Sequence, residues 1–543
     1  MKRIIYILTL VLLITGNVIA QSSAIKNVIL LIPDGTSLPV VSAARWYQRY
    51  NHPEMTGLNI DPYLCGTILT YCSNAPIGDS APTTSCYMTG YPSRTGFVST
   101  YPPADALNDI IRMDSSRAYQ PMMTVLEAAR ITQNKATGLV FTCEFPHATP
   151  ADCAAHSYNR SKYEWIVPQM VHNKLDVVIG GGVSLLNASH QQFLKDEGYG
   201  VFLNEMDSFR YNKSARMWAL FGNTDMAYDI DRDSVKEPSL AEMTQKAIEK
   251  LSKNKNGFFL MVEGSKVDWA AHGNDPVALI TEMLAFDKAC GVALDFAKKN
   301  GKTLVVIVPD HGNSGFSIGS NKCPNYSTLT KDELFASVSK FKTSISKLVA
   351  TMGNTEPDKL KETFNELTGL SLSDNDYTQL LQCVDYRRST LSSEERTKGS
   401  TLSKVINEIV DKNDCFGFTT TGHTGEEVFL AVYDPTRKRL TGHHTNVELN
   451  QYLRQSLGLK QSLESLTNAY FSPHNKVFAD CSYTIDATIP QLEVTGKNTV
   501  LEIHPNTNIV KVNGKEIKLN SVVVFVDKNN TFYLPQSLRD LLR

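Results

Sequence analysis

Asn27-Val28-Ile29-Leu30-Leu31-Ile32-Pro33-Asp34-Gly35 is a short apolar run, partly β-branched, that halts at a proline, an acid and a glycine. The same grammar recurs along the chain. Gly138 to Thr142 runs towards Glu144, and Leu175 to Ile179 stops at three glycines. Phe258 to Val262 stops at Glu263-Gly264, and Thr303 to Val308 stops at Pro309-Asp310-His311-Gly312. Continuous apolar runs of this length suit strands buried on both faces, as in a parallel sheet covered by helices. Helical patterns lie between them, at Ser239 to Lys253 and Pro276 to Lys299. The alternation predicts an α/β, doubly wound, largely parallel sheet with helices on both faces. Ligands of such folds bind outside the carboxyl ends of the strands. Three of those ends carry acids: Asp34, Glu263 and Asp310. Asp and Gly also end strands merely as turn formers, but three acids together point to a metal or acid–base site.

Outside this core the chain changes character. Residues from about 320 to 415 lack strong strand patterns and read as a helical insertion that covers or flanks the sheet edge. The tail from 484 to 543 reads as a small β-rich appendage with no cluster of catalytic residue types. Its strongest signal is the hairpin turn Val512-Asn513-Gly514-Lys515. At the other end, Lys2 and Arg3 precede an apolar run from Ile4 to Ile14, with small residues before position 21. Residues 1–20 therefore read as a signal peptide, leaving 21–483 as the α/β domain and predicting a periplasmic or secreted protein. The 54 Lys+Arg against 56 Asp+Glu, with 42% hydrophobic residues, exclude a disordered chain and give no reason to expect a nucleic-acid partner. No later apolar stretch is long enough to span a membrane. The 10 cysteines form no CxxC pair, which argues against cysteine metal ligands. Export permits disulfides, whose pairing the sequence leaves open.

Four local patterns carry candidate chemistry. In Glu263-Gly-Ser-Lys-Val-Asp268-Trp-Ala-Ala-His272, Asp268 and His272 stand four apart and would share a helix face, able to hold one zinc with a third ligand from elsewhere. Alone, a capping Asp and a surface His explain the pair as well. Asp310-His311 is a second such pair. Asp79-Ser80-Ala81-Pro82 precedes a helical pattern, and a serine at a helix start has free backbone N–H groups and the positive dipole end beside it. Asp79 or Ser80 could equally be an ordinary cap. In His147-Ala148-Thr149-Pro150, Thr149 reads as an N-cap, and His156 and Arg160 as one face of the following helix. An arginine there could grip two phosphate oxygens. Lastly, Gly422-His423-Thr424-Gly425 offers a late imidazole ligand.

Taken in order, from about Asn27 to Leu459, these motifs resemble the alkaline phosphatase family. The resemblance implies hydrolysis of phosphate monoesters at a site holding two Zn2+ and one Mg2+. Ser80 would be the phosphorylated nucleophile and Arg160 the phosphate clamp. Asp268, His272 and His423 would hold the first zinc; Asp34, Asp310 and His311 the second; Asp34, Thr149 and Glu263 the magnesium. Paired zincs stabilise the attacking and leaving oxygens of an in-line displacement. Family members are commonly homodimers, so a homodimer is implied as well.

The chain departs from the family pattern at Pro82 and Thr84, at Pro33 before Asp34, at Trp269, and at His147, which stands where members carry Asp or His. His147 is expected to hydrogen-bond a water on the magnesium and leave the site all-oxygen. A phosphodiesterase or a sulfatase of the same superfamily is the alternative. Ser80-Ala-Pro82-Thr-Thr lacks the arginine that ends the sulfatase motif, and Thr149 with Glu263 favours monoesters. A non-catalytic phosphate or metal scavenger would not need an intact nucleophile.

Overall fold

The computed structural model describes residues 25–104, 110–388 and 401–542, so the expected signal peptide lies outside the described residues. Ten strands form one sheet: β1 (Asn27–Pro33), β2 (Leu64–Leu69), β3 (Ala136–Glu144), β4 (Val177–Gly181), β5 (Gly200–Leu203), β6 (Met217–Phe221), β7 (Phe258–Gly264), β8 (Thr303–Ile307), β9 (Val428–Tyr433) and β10 (Gly442–Thr445). Their order is β10-β2-β9-β8-β1-β7-β3-β4-β6-β5. β9 runs antiparallel to both neighbours, and every other pairing is parallel.

All of β1 is buried, as a strand covered on both faces must be. Ile29 and Leu31 face one layer, which contains α1 (Leu38–Asn51) and the helix Leu240–Leu251. Val28, Leu30 and Ile32 face the other, with α2 (Ser80–Thr89) and α3 (Ala148–Ala154). The side-chain period of two thus assigns one strand to two cores. Two further helices complete the site's frame: α4 (Lys266–His272) and α5 (Pro276–Asn300). α5 shows how local sequence sets its limits. Asp275 accepts from the N–H groups of Val277 and Ala278, Pro276 opens the helix, and Gly301 closes it in a left-handed conformation.

The strand order puts β8, β1, β7 and β3 side by side and parallel, so their carboxyl ends open on one edge. Ile32 pairs with Glu263, and Pro33 with Gly264. The acids after β1, within β7 and after β8 are thereby brought together by register alone.

Three local expectations are corrected. Thr149 is the second residue of α3, and His147 occupies the N-cap position. α3 ends at Ala154 because Ala155 turns extended, so His156 and Arg160 lie beyond it rather than on its face. His156 is buried and contacts Glu127 in the core. The insertion is helical, with Lys331–Phe335, Ile345–Met352, Leu360–Thr368, Asp374–Arg388 and Leu402–Asp411. It does not cover the sheet edge. Its apolar faces join the core beside α1, where Phe335 packs on Tyr47 with ring centroids 5.6 Å apart. The sheet edge offers only backbone to such helices, whereas α1 offers an apolar stripe. A disulfide, Cys323–Cys415, joins the two ends of this insertion.

The tail forms a five-stranded antiparallel sheet from Ser482–Asp486 to Lys515–Lys518. Asn513 and Gly514 adopt φ of 50° and 79°, the left-handed pair that a two-residue hairpin needs. Among the described residues, no helix is long and apolar enough to cross a membrane.

Candidate active site

Ser80 is the first residue of α2, after an extended Asp79, and is almost fully buried. Its Oγ lies 3.5 Å from Asp34 Oδ1 and 3.3 Å from His311 Nε2. Asp34 leaves the end of β1 and turns at Gly35, whose φ is +58°. A Cβ at Gly35 would sit 2.3 Å from Asp268 Oδ1, so only glycine allows α4 to come this close. The Gly35 N–H donates to Asp310 Oδ1 at 3.0 Å, and Asn313 donates to Asp268 Oδ1 at 2.7 Å.

The three imidazoles share one device. His272 Nδ1 faces Thr421 O at 2.6 Å, His423 Nδ1 faces Gly78 O at 3.0 Å, and His311 Nδ1 faces Gly312 O at 3.0 Å. A carbonyl only accepts, so each ring carries a proton on Nδ1 and turns Nε2 towards the site. The Asp310 and Asp34 carboxylates push His311 well above its usual range despite burial. The Nε2 atoms of His272 and His423 are 3.2 Å apart, with Asp268 Oδ2 3.4 Å from the former. Two lone pairs and a carboxylate face one another there, an arrangement that is repulsive unless a cation lies between them. His311 Nε2 likewise sits 3.3 Å from Asp34 Oδ1 and 3.7 Å from Asp310 Oδ2. Burial, then the charges of Asp310 and Asp268, push the Asp34 carboxyl well above the usual carboxylate range. Burial and His311 lower His423, which favours its neutral, ligating form.

A third cluster joins Cys143, His147 and Glu263. Glu263 is fully buried, and burial pushes its carboxyl up to about 7. Its Oε1, Thr149 Oγ1, Asp34 Oδ2 and Asp310 Oδ2 are buried without a hydrogen-bond partner among the described residues. Unpaired buried oxygens are costly, and oxygen-liking cations answer that cost. The residues present therefore fit the metals that the family resemblance implies. Zinc suits the imidazole–carboxylate clusters, and magnesium suits the oxygens of Asp34, Thr149 and Glu263.

Arg160 reaches the site from a loop. Its terminal nitrogens meet Asp79 Oδ1 at 2.6 Å and His147 Nε2 at 3.0 Å. Each terminal nitrogen keeps a second N–H for an incoming anion. Burial would raise Asp79, but the Arg160 guanidinium holds it below its usual range. Burial and Arg160 lower His147 to about 4, so its imidazole is neutral. Its ring meets Trp269 edge-on, 5.9 Å between centroids. Lys266 stacks 4.2 Å over the same indole and pairs with Asp225.

Every candidate named from the sequence lies at this edge except His156, which is buried against Glu127. Sequence reasoning missed three participants: Asp79 as the partner of Arg160, Asn313 as the donor to Asp268, and Cys143 beside Glu263. Asp79 and Asn313 each lie within three residues of a named candidate, and that proximity was the available signal. Cys143 carried none, because absence of a CxxC pair had set the cysteines aside.

A hydroxyl at a helix start, facing cation-seeking clusters at the open ends of a doubly wound sheet, defines the class of metal-dependent hydrolases. Comparison with known proteins narrows this. The alkaline phosphatase family model matches residues 25–459, so the chain belongs to the alkaline phosphatase family and is a phosphate-monoester hydrolase. It is 33% identical over 443 residues to alkaline phosphatase 4 of Bacillus subtilis, covering 79% of this chain and 88% of that protein. A cold-active alkaline phosphatase from a psychrophilic Shewanella superposes with a TM-score of 0.67 at 25% identity, covering 80% of this chain and 100% of that one. A mutant alkaline phosphatase of the Antarctic bacterium TAB5, with Mg in its M3 site, superposes with a TM-score of 0.53 at 23% identity, covering 81% and 99%.

Proposed function

We propose that the chain hydrolyses phosphate monoesters through a phosphoserine on Ser80. The observation that carries this is Ser80 Oγ, buried at the start of α2, 3.3 Å from His311 Nε2 and 3.5 Å from Asp34 Oδ1. Two Zn2+ and one Mg2+ would be held by Asp268, His272 and His423, by Asp34, Asp310 and His311, and by Asp34, Thr149 and Glu263. When bound, these cations supply Lewis acidity towards the attacking and leaving oxygens.

The chain's own groups do the rest. Arg160, fixed by Asp79, binds the substrate phosphoryl oxygens through its two free N–H bonds and turns the phosphorus towards Ser80. The open N–H groups of Ser80 and Ala81 at the start of α2 favour the negative charge of the incoming ester. Ser80 Oγ loses its proton as it attacks phosphorus in line with the leaving alcohol. The P–O bond to that alcohol breaks as the Ser80–phosphorus bond forms, and the departing alkoxide takes up a proton in its place. Water then cleaves phosphoserine, freeing inorganic phosphate and returning the hydroxyl proton to Ser80. Trp269 and His147 wall one side of the site and limit its access to water.

We propose further that residues 1–20 are a signal peptide, that the protein is periplasmic or secreted, that 21–483 is the α/β domain and 484–543 its appendage, and that the chain forms a homodimer. The Cys323–Cys415 disulfide supports export, because such bonds persist in oxidising compartments. The experiment that tests the chemistry is acid quenching of a turnover with labelled substrate, followed by peptide mapping. Label on the Ser80 peptide of the parent, and none anywhere in a folded, metal-replete Ser80→Ala chain, is expected. Label on another peptide would sink the assignment.

A further inference from the structure

The third cluster contains a residue with no role in the mechanism above. Cys143, in the last turn of pleat before β3 ends, is fully buried. Its Sγ lies 3.4 Å from Glu263 Oε2, across from the neighbouring strand β7. Ser265 Oγ accepts from the backbone N–H groups of both Thr142 and Cys143 at 3.1 Å, which fixes where the thiol points. The other carboxylate oxygen of Glu263, Oε1, is buried and unpartnered, as is Thr149 Oγ1. Cys143 Sγ is thus the close partner of Oε2, while the Ser265 and Thr149 hydroxyls also bear on the carboxylate.

The third member, His147, is placed as a donor. Arg160 always carries its protons and donates to His147 Nε2 at 3.0 Å, so the neutral ring keeps its hydrogen on Nδ1. A protonated ring nitrogen has no lone pair for a metal. Although Cys143, His147 and Glu263 lie close enough to share an ion, only Glu263 among them offers a free lone pair towards it. The neutral thiol, next to a buried carboxylate, is a donor as well.

We infer that Cys143 is a positioning residue for the third cation: its S–H holds Glu263 Oε2 and so aims Oε1 at the site that Thr149 and Asp34 share. This rests on the three-cation reading proposed above. A partner that orients a ligating carboxylate without touching the metal is commonly worth about 10- to 100-fold in metal affinity. A thiol is a weak donor, so the lower end of that range is expected here.

The test is calorimetric titration of magnesium into the full-length, zinc-loaded chain, with Cys143→Ala and Cys143→Ser beside the parent. Cys143→Ala should weaken magnesium about 10-fold while leaving zinc content unchanged, and Cys143→Ser, which retains a donor, should recover most of the loss. A purely structural role would lower the melting temperature of both variants and leave the magnesium midpoint alone. An unchanged midpoint in Cys143→Ala, or equal weakening in both variants, would overturn the inference. Cobalt distinguishes ligation from positioning: a sulfur-to-cobalt charge-transfer band lost in Cys143→Ser would make Cys143 a ligand, and the inference would fall. A parent chain that takes up zinc but no magnesium would sink the third-cation reading itself, and this role with it.

Discussion

At the scale of single residues, the site is organised by partners that leave one atom free. Backbone carbonyls take the Nδ1 protons of His272, His311 and His423, so three Nε2 atoms converge on the site. Arg160 follows the same rule, with Asp79 and His147 each taking one hydrogen and the fork left pointing outward. Lysine cannot reproduce a planar fork held at two points. Arg160→Lys should therefore weaken competitive inhibition by inorganic phosphate about 10-fold, through loss of one charge-assisted hydrogen bond of about 1.5 kcal/mol. The inhibition constant measured at fixed zinc and magnesium checks it. An unchanged constant would show that Arg160 does not touch the phosphoryl group.

At the scale of elements, α5 carries an acid that couples stability to pH. Glu282 is buried, its carboxylate accepting from the Asp229 N–H. Burial, with the Asp229 charge adding, pushes its carboxyl from 4.5 up to about 8. The folded chain then binds this proton over a range where the unfolded chain has released it. Stability consequently falls as pH rises through the window from about 4.5 to about 8, by up to about 1.4 kcal/mol per pH unit. Glu282→Gln removes that slope. The loss of melting temperature between about pH 5 and about pH 8 should be smaller in the variant than in the parent. Equal losses would mean that Glu282 does not titrate in this window. The insertion is governed at the same scale by its disulfide. Closing 92 residues of chain restricts the unfolded state by about 4–5 kcal/mol in the chain-entropy picture.

At the scale of the whole molecule, the appendage is separate from the chemistry but not from the core. Val522, Val524, Val526 and Tyr533 belong to the same apolar cluster as β1 and α2. Arg130 donates to Asn520 O at 2.8 Å and Gln169 to Asn506 Oδ1 at 3.1 Å, tying the tail to two helices of the α/β layer. None of the proposed ligands lies in it. A chain ending at Cys481 should thus keep its turnover per metal-loaded site and lose on the order of 5 kcal/mol of stability, the cost of exposing the core surface that these four side chains cover. Calorimetric melting together with turnover normalised to bound zinc checks both halves. Lost turnover with zinc still bound would show that the appendage shapes the site.

The sequence by itself determined what depends on neighbours along the chain. Buried runs such as Val28 to Ile32 announce a two-faced sheet because no solvent-facing strand could afford them. The acids at their ends follow from where such strands must stop. The i, i+4 spacing of Asp268 and His272 and the serine opening α2 were legible for the same local reason, as was the Asn513-Gly514 hairpin. Other features depend on residues far apart in sequence, and only the tertiary structure decided them. Arg160 lies beyond α3, which stops at Ala154, and its anchor, Asp79, is the N-cap of α2. The insertion's apolar faces find their match on α1, a contact that no local pattern announces. Cys323 meets Cys415 across 92 residues, a pairing that no spacing rule specifies. Cys143 meets Glu263 across 120 residues, by the parallel pairing of β3 with β7. Local sequence sets backbone conformation and burial, but which side chains then share a cation or a hydrogen bond is set by strand order and register.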